Sequence, residues 1–197
     1  MIKASGIRFE LDYSLLQEDP ALAGIAADLH ALPAIDSPQS FNDFCQAACR
    51  LWQQHFPNGR GATANGFQEM SARLALANPA EEIVTTAWGG VVITRRDEPL
   101  VEKYLVINQG HYLALEKHDE KMESLFVIEG RGLILRRERT EASLLVEELQ
   151  TGKKFYFTPG VEHCVIGTEN LLIFERSLDP KGMDQDLLFL YNPDSSV

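Results

Sequence analysis

Long hydrophobic runs are missing from this chain of 197 residues. None approaches the roughly 20 consecutive apolar residues that cross a bilayer as a helix. The opening, MIKASGIRFELDY, also lacks the apolar core of a secretory signal, so a cytoplasmic protein with no membrane partner is expected. Positive charge is scarce. Lys and Arg number 18 against 29 Asp and Glu, a formal net charge of −11. Such a surface repels phosphate backbones, and nucleic acid is not an expected partner. Cysteine is scarce too: Cys45, Cys49 and Cys164 cannot all pair, there is no CxxC, and reduced thiols fit a cytosolic setting. Cys45 and Cys49 lie four apart on an expected helix and read as small buried hydrophobes rather than a redox pair. The chain has no solenoid-type repeat and no low-complexity segment.

What remains is ordinary globular composition, 45% hydrophobic and 24% charged, with two different periodicities. Up to about residue 82 the chain reads mostly as helix. In SFNDFCQAACRLWQQHF, Ser40 is the expected N-cap. Phe41, Phe44, Cys45, Ala48, Leu51, Trp52 and His55 follow at spacings of three and four, giving one apolar face. PNGRG stops that helix, GFQEMSARLALANP forms a second, and an Ala- and Leu-rich segment from Pro20 to Leu32 forms a weaker one. His30 and His55 read as packing or surface residues. From residue 83 on, short β-branched or aromatic runs such as GGVVITRR, SLFVIEG, KKFYFTPG and NLLIFERS alternate with Gly, Pro and charged turns. That pattern predicts an antiparallel sandwich or barrel over 83–197, preceded by a helical N-terminal extension over 1–82.

One stretch carries chemistry: GHYLALEKHDEKMESLFVIEG, residues 110–130. In a strand, Glu116 and His118 share a face, roughly 7 Å apart at about 3.3 Å per residue, close enough to reach one ion. DEKM reads as a turn, after which a hairpin would return Glu123 beside His118. His163, after the Pro159-Gly160 turn of FTPGVEH, is the candidate fourth ligand from another strand. Two imidazoles and two carboxylates suit a divalent ion such as Zn, Mn, Fe, Co or Ni.

These residues resemble the two motifs of the cupin superfamily, G-x5-H-x-H-x4-E-x6-G and G-x5-P-x-G-x2-H-x3-N. Gly110, Glu116, His118, Glu123 and Gly130 keep the first spacing throughout, with Glu116 in place of the first histidine. Gly160 and His163 keep the core of the second, with Thr158 where proline is usual and Gly167 where asparagine is usual. The resemblance implies a mainly β fold, a single cupin double-stranded β-helix or jelly-roll barrel. It also implies a divalent metal held by Glu116, His118, Glu123 and His163, and a homodimer paired through barrel edges.

From Trp88 to about Asn192 the chain is also similar to the cupin domain of type II mannose-6-phosphate isomerases. Trp88-Gly89, Lys103 to Gly110, LALEKH and DQDLLFLYNP follow that shape, with the family's glutamine falling on Glu116. That likeness implies an aldose–ketose isomerase acting on a sugar or sugar phosphate. The metal would polarise oxygens and a base would move a proton, with Glu175 of LLIFERS a candidate base. Two other readings stay open: a metal-dependent oxygenase or lyase of the same superfamily, and a non-catalytic small-molecule-binding protein. The aromatics Tyr104, Tyr112, Phe126 and Tyr156 read first as core and only second as substrate contacts.

Overall fold

The computed structural model describes residues 8–60, 65–77, 80–138 and 143–192. A short strand β1 (Glu10–Asp12) leads into helices α1 (Ser14–Gln17), α2 (Ala23–His30), α3 (Pro38–His55) and α4 (Phe67–Ala77). The strands β2 (Glu82–Thr86), β3 (Gly89–Asp97), β4 (Leu100–Ile107), β5 (Leu115–His118), β6 (Met122–Glu129) and β7 (Arg131–Arg137) follow. The chain ends through β8 (Ser143–Gln150), β9 (Lys154–Phe157), β10 (Glu162–Ile166), β11 (Leu171–Leu178) and β12 (Leu187–Tyr191).

The strands form two six-stranded sheets, β1-β8-β7-β10-β5-β12 and β2-β3-β4-β11-β6-β9. Pairing is antiparallel throughout except where β1 runs parallel to β8. Successive strands repeatedly change sheet, the arrangement of a double-stranded β-helix, or jelly-roll, barrel. Between the sheets lies an apolar core that includes Leu105, Ile107, Leu125, Val127, Ile134, Val165 and Ile173.

The helices cover the outer faces. Side chains alternate along a strand, so Leu133, Leu135, Leu144, Val146, Cys164 and Ile166 point away from the barrel interior. They pack against Leu16, Ile25, Leu29, Phe41, Phe44, Cys45 and Trp52 in one continuous core. Helix α4 covers part of the other sheet, with Phe67, Met70 and Leu74 against Val92, Val106 and Leu172.

Helix α3 starts earlier than the apolar period alone indicates. Its N-cap is Ser37, whose Oγ accepts from the Ser40 amide at 3.1 Å, while Ser40 Oγ accepts from the Ser37 amide at 2.9 Å. Ser40 is therefore the third residue of a capping box, and Pro38 at the first helical position fixes the entry angle. Strand β1 lies inside the region read as helical, and three residues proved too short for periodicity to reveal. Asn78 and Pro79, expected to end the last helix, lie outside the described residues.

Glycines of the first motif sit where the backbone takes a positive φ, which favours glycine. Gly110 has φ +82° and Gly130 φ +90°; a Cβ on Gly130 would stand 1.9 Å from the Asn170 carbonyl oxygen.

Candidate functional site

Between the sheets, at one end of the barrel, is a cavity of about 210 Å³. Its walls combine apolar groups, among them Trp88, Leu113 and Phe189, with Lys103, Glu116, Lys121, Glu123, His163, Glu175 and Asp184. Tyr104, Tyr112, Phe126 and Tyr156, read first as core, are not among them; Tyr104 packs on Phe174, whereas Tyr156 is 72% exposed and not core.

The four residues expected as metal ligands come together from three strands. Glu116 and His118 project from β5 on one face, and His163 of β10 stands opposite Glu116 in register. Glu123 comes from β6, which belongs to the other sheet. The turn after His118 is thus a crossover between sheets rather than a hairpin, and Glu123 meets the histidines across the barrel interior. Its Oε1 lies 2.8 Å from His163 Nε2, and its Oε2 3.9 Å from His118 Nε2. Glu175, on β11, also points inward and is 3% exposed. Arg176, its neighbour, points outward and pairs with Glu102 at 3.4 Å.

A residue that the sequence assigned to a turn completes the group. Lys121, 3% exposed, places Nζ 2.8 Å from Glu123 Oε2, 2.9 Å from Glu175 Oε1 and 2.7 Å from Asp184 Oδ1. The same nitrogen lies 3.5 Å from His118 Nε2. Lys103 adds a second ammonium, 2.7 Å from Asp184 Oδ2 and 3.3 Å from Glu175 Oε1. Glu175 Oε1 thus stands between two ammonium groups, although neither approach is aligned as a hydrogen bond. Asp186 anchors the turn: Oδ2 accepts from the Glu120 and Lys121 amides at 2.7 and 2.8 Å, and Oδ1 lies 2.8 Å from His118 Nδ1.

The electrostatics follow from these contacts. Burial would lower the Lys121 ammonium, but Glu175, Glu123 and Asp184 outweigh it and hold it well above its usual range. Burial would likewise raise Glu123, yet Lys121 and His163 hold it well below the carboxylate norm. Burial would depress His163, but Glu123 beside it raises the imidazole to about 9. Glu116 differs. Burial of its carboxyl end pushes it up to about 7, with His163 pulling it down and Glu123 pushing it up. Among the described residues it is the one cavity carboxylate with neither a hydrogen bond nor an ion pair.

These contacts decide whether a divalent ion fits. The donor types are suitable, but Glu123 is already shared between His163 and Lys121, and the Lys121 ammonium faces His118 Nε2. Among the described residues, no group of three or more His, Cys, Asp or Glu side chains is arranged to hold a metal ion. As folded, Glu116, His118, Glu123 and His163 do not fit a divalent cation, because an ammonium stands among them.

Lys121, Asp184 and Asp186 were absent from the sequence-derived site. Lys121 sits in DEKM, where charge reads as a solvated turn, and the two aspartates sit in a loop distant in sequence. The one available signal was that Asp184 and Asp186 alternate just before the apolar run LLFLY.

No protein-family model matches the chain. No curated protein matches it in sequence. Solved structures do resemble it in fold. The capsular polysaccharide assembling protein CapF from Staphylococcus aureus aligns at 15% identity over 56% of this chain and 34% of its own, with a TM-score of 0.49. An uncharacterized conserved protein with a double-stranded β-helix domain from Klebsiella pneumoniae aligns at 14% identity over 55% and 84%, with a TM-score of 0.42. The oxalate decarboxylase of Lactobacillus farciminis, in a formate complex, aligns at 17% identity over 55% and 33%, with a TM-score of 0.46. The chain therefore spans about a third of the length of CapF and of this decarboxylase. No helix among the described residues is long and apolar enough to cross a membrane.

Proposed function

We propose that the barrel cavity binds a small, neutral, polyhydroxylated compound of the sugar class and catalyses aldose–ketose isomerisation on it. The observation that carries this reading is Glu116: a cavity carboxylate without a partner, facing carboxylates and lysines that are all paired.

The pairing argues about charge. Lys103 and Lys121 are each held by two or more carboxylates, so neither is a free anchor for a phosphate group. Carboxylates and ammonium groups with remaining hydrogen-bond capacity suit hydroxyls, and Trp88, Leu113 and Phe189 supply an apolar surface for carbon-bound hydrogens. A sugar phosphate is therefore the less favoured substrate. A cavity of about 210 Å³ matches a ligand of a few carbons.

Isomerisation transfers one proton between adjacent carbons and another between the oxygens they carry, with nothing consumed. Glu116 is placed to take the carbon-bound proton and return it to the neighbouring carbon. Charge that develops on the carbonyl oxygen meets the ammonium of Lys121, which lines the cavity. Glu175 holds Lys103 and Lys121 in place.

The test is exchange. Incubated in D2O with a panel of neutral aldoses and ketoses, the protein should place deuterium on the carbon next to the carbonyl, read by NMR. Glu116→Gln should slow this by about 10²-fold or more. Saturable binding without exchange would leave a binding protein and remove the enzyme reading. Neither binding nor exchange across the panel would remove the sugar.

A further inference from the structure

Lys121 lies within the first-motif spacing, between His118 and Glu123, at a position where a turn residue would ordinarily face water. Here it is buried. A buried ammonium is unfavourable unless each of its N–H groups finds an acceptor. Nζ has three carboxylate neighbours, Asp184 at 2.7 Å, Glu123 at 2.8 Å and Glu175 at 2.9 Å, whose charge offsets its burial, and it donates a hydrogen bond to Asp184. A fourth neighbour, His118 Nε2, lies 3.5 Å away.

The contacts come from separated parts of the chain. Glu123 and Glu175 lie on adjacent strands β6 and β11, and Asp184 lies in the loop before β12. The backbone of the Lys121 turn is fixed independently, by Asp186 accepting from the Glu120 and Lys121 amides. The side chain is therefore placed by its own turn and received by a prepared acidic site.

We propose that Lys121 Nζ is the resident cation of this barrel. It occupies the space between His118 Nε2 and Glu123 Oε2 and neutralises the buried carboxylates, as a divalent ion would. The chain then folds and keeps its cavity without a metal. The isomerase reading uses the same ammonium, but this inference concerns what balances the charge and not what the cavity receives, so metal binding and deuterium exchange test the two separately.

The experiment is a Co(II) titration followed by visible absorption, with elemental analysis of the protein as purified. Wild type should carry far less than one equivalent of transition metal, bind Co(II) weakly, and keep its thermal midpoint after EDTA treatment. Lys121→Ala and Lys121→Met should each bind Co(II) at least about tenfold more tightly than wild type, because removing one positive charge leaves an acidic, imidazole-bearing hole. The gain should disappear when His118→Ala is added to either variant. Near-stoichiometric metal in wild type, or equal Co(II) affinity in wild type and a folded Lys121 variant, would overturn the proposal. Should both variants fail to fold, wild type decides: tight one-to-one Co(II) binding overturns the proposal, and its lack sustains it.

Discussion

His118 and Glu123 are five positions apart in sequence yet meet from opposite sheets, with Nε2 and Oε2 3.9 Å apart and both side chains 4% exposed. The link between them is a short crossover whose backbone hangs on Asp186. That loop residue aligns both the histidine and the turn carrying Lys121. It is buried, and each of its oxygens is used.

Removing that clamp should loosen the site and the fold together. Asp186→Ala leaves two amides and an imidazole nitrogen without their acceptor, an expected loss of about 2–4 kcal/mol. Urea denaturation checks this, and Asp186→Asn should recover part of the loss because its amide oxygen still accepts. An Asp186→Ala midpoint equal to wild type would mean that the turn is held by something else.

Asp184 makes the acid limb of stability testable. Burial would raise its carboxyl, but Lys103 and Lys121 overcome this and hold it at about 2, below the ordinary 3.8. A depressed folded value means stabilisation that is present above about pH 4 and lost as pH falls through 2. Asp184→Asn should therefore cost about 1–2 kcal/mol at pH 7 and flatten the decline between pH 4 and 2. Parallel pH profiles for the two proteins would show that the lysines gain nothing from Asp184.

The thiols should be silent in the native state. Burial pushes Cys45 well above the ordinary thiol range and Cys49 up to about 12. Cys45, Cys49 and Cys164 are 0%, 4% and 1% exposed, facing one core between α3 and the sheet. A thiol reagent at pH 8 should label none rapidly and all three after denaturation. Fast labelling of Cys49 would place the helix–sheet seam open to solvent.

Much of this architecture was legible because it rests on local rules. Alternation in β5 put Glu116 and His118 on one face, as found, and the motif glycines Gly110 and Gly130 hold positive φ. Three kinds of feature were not legible. Sheet membership was one: periodicity marks β5 and β6 as strands but does not tell a hairpin from a crossover. The capping box was another, because Ser37 and Ser40 are equally good caps and only Pro38 between them favours the earlier start. The last was Lys121, where a lysine in an acidic turn reads as solvated until distant Glu175 and Asp184 are folded onto it.

The final prediction concerns the helical segment. Phe9, Phe41, Phe44 and Trp52 are each no more than 2% exposed, and they share one core with Leu133, Leu135, Leu144 and Ile166 of the sheet. Charge seals the same seam: Arg60 Nη1 lies 3.1 Å from Glu148 Oε1, which also takes Arg131 Nη1 at 2.8 Å. Deleting residues 1–60 would uncover this entire sheet face and leave Glu148 with one arginine. Large contiguous apolar surfaces drive association, so the truncated barrel should aggregate or bind a hydrophobic dye strongly. Trp52→Ala in the full chain, which removes one ring, should instead yield a folded protein destabilised by about 3–5 kcal/mol. A soluble, cooperative barrel lacking residues 1–60 would mean that the helices are an appendage and not part of the core.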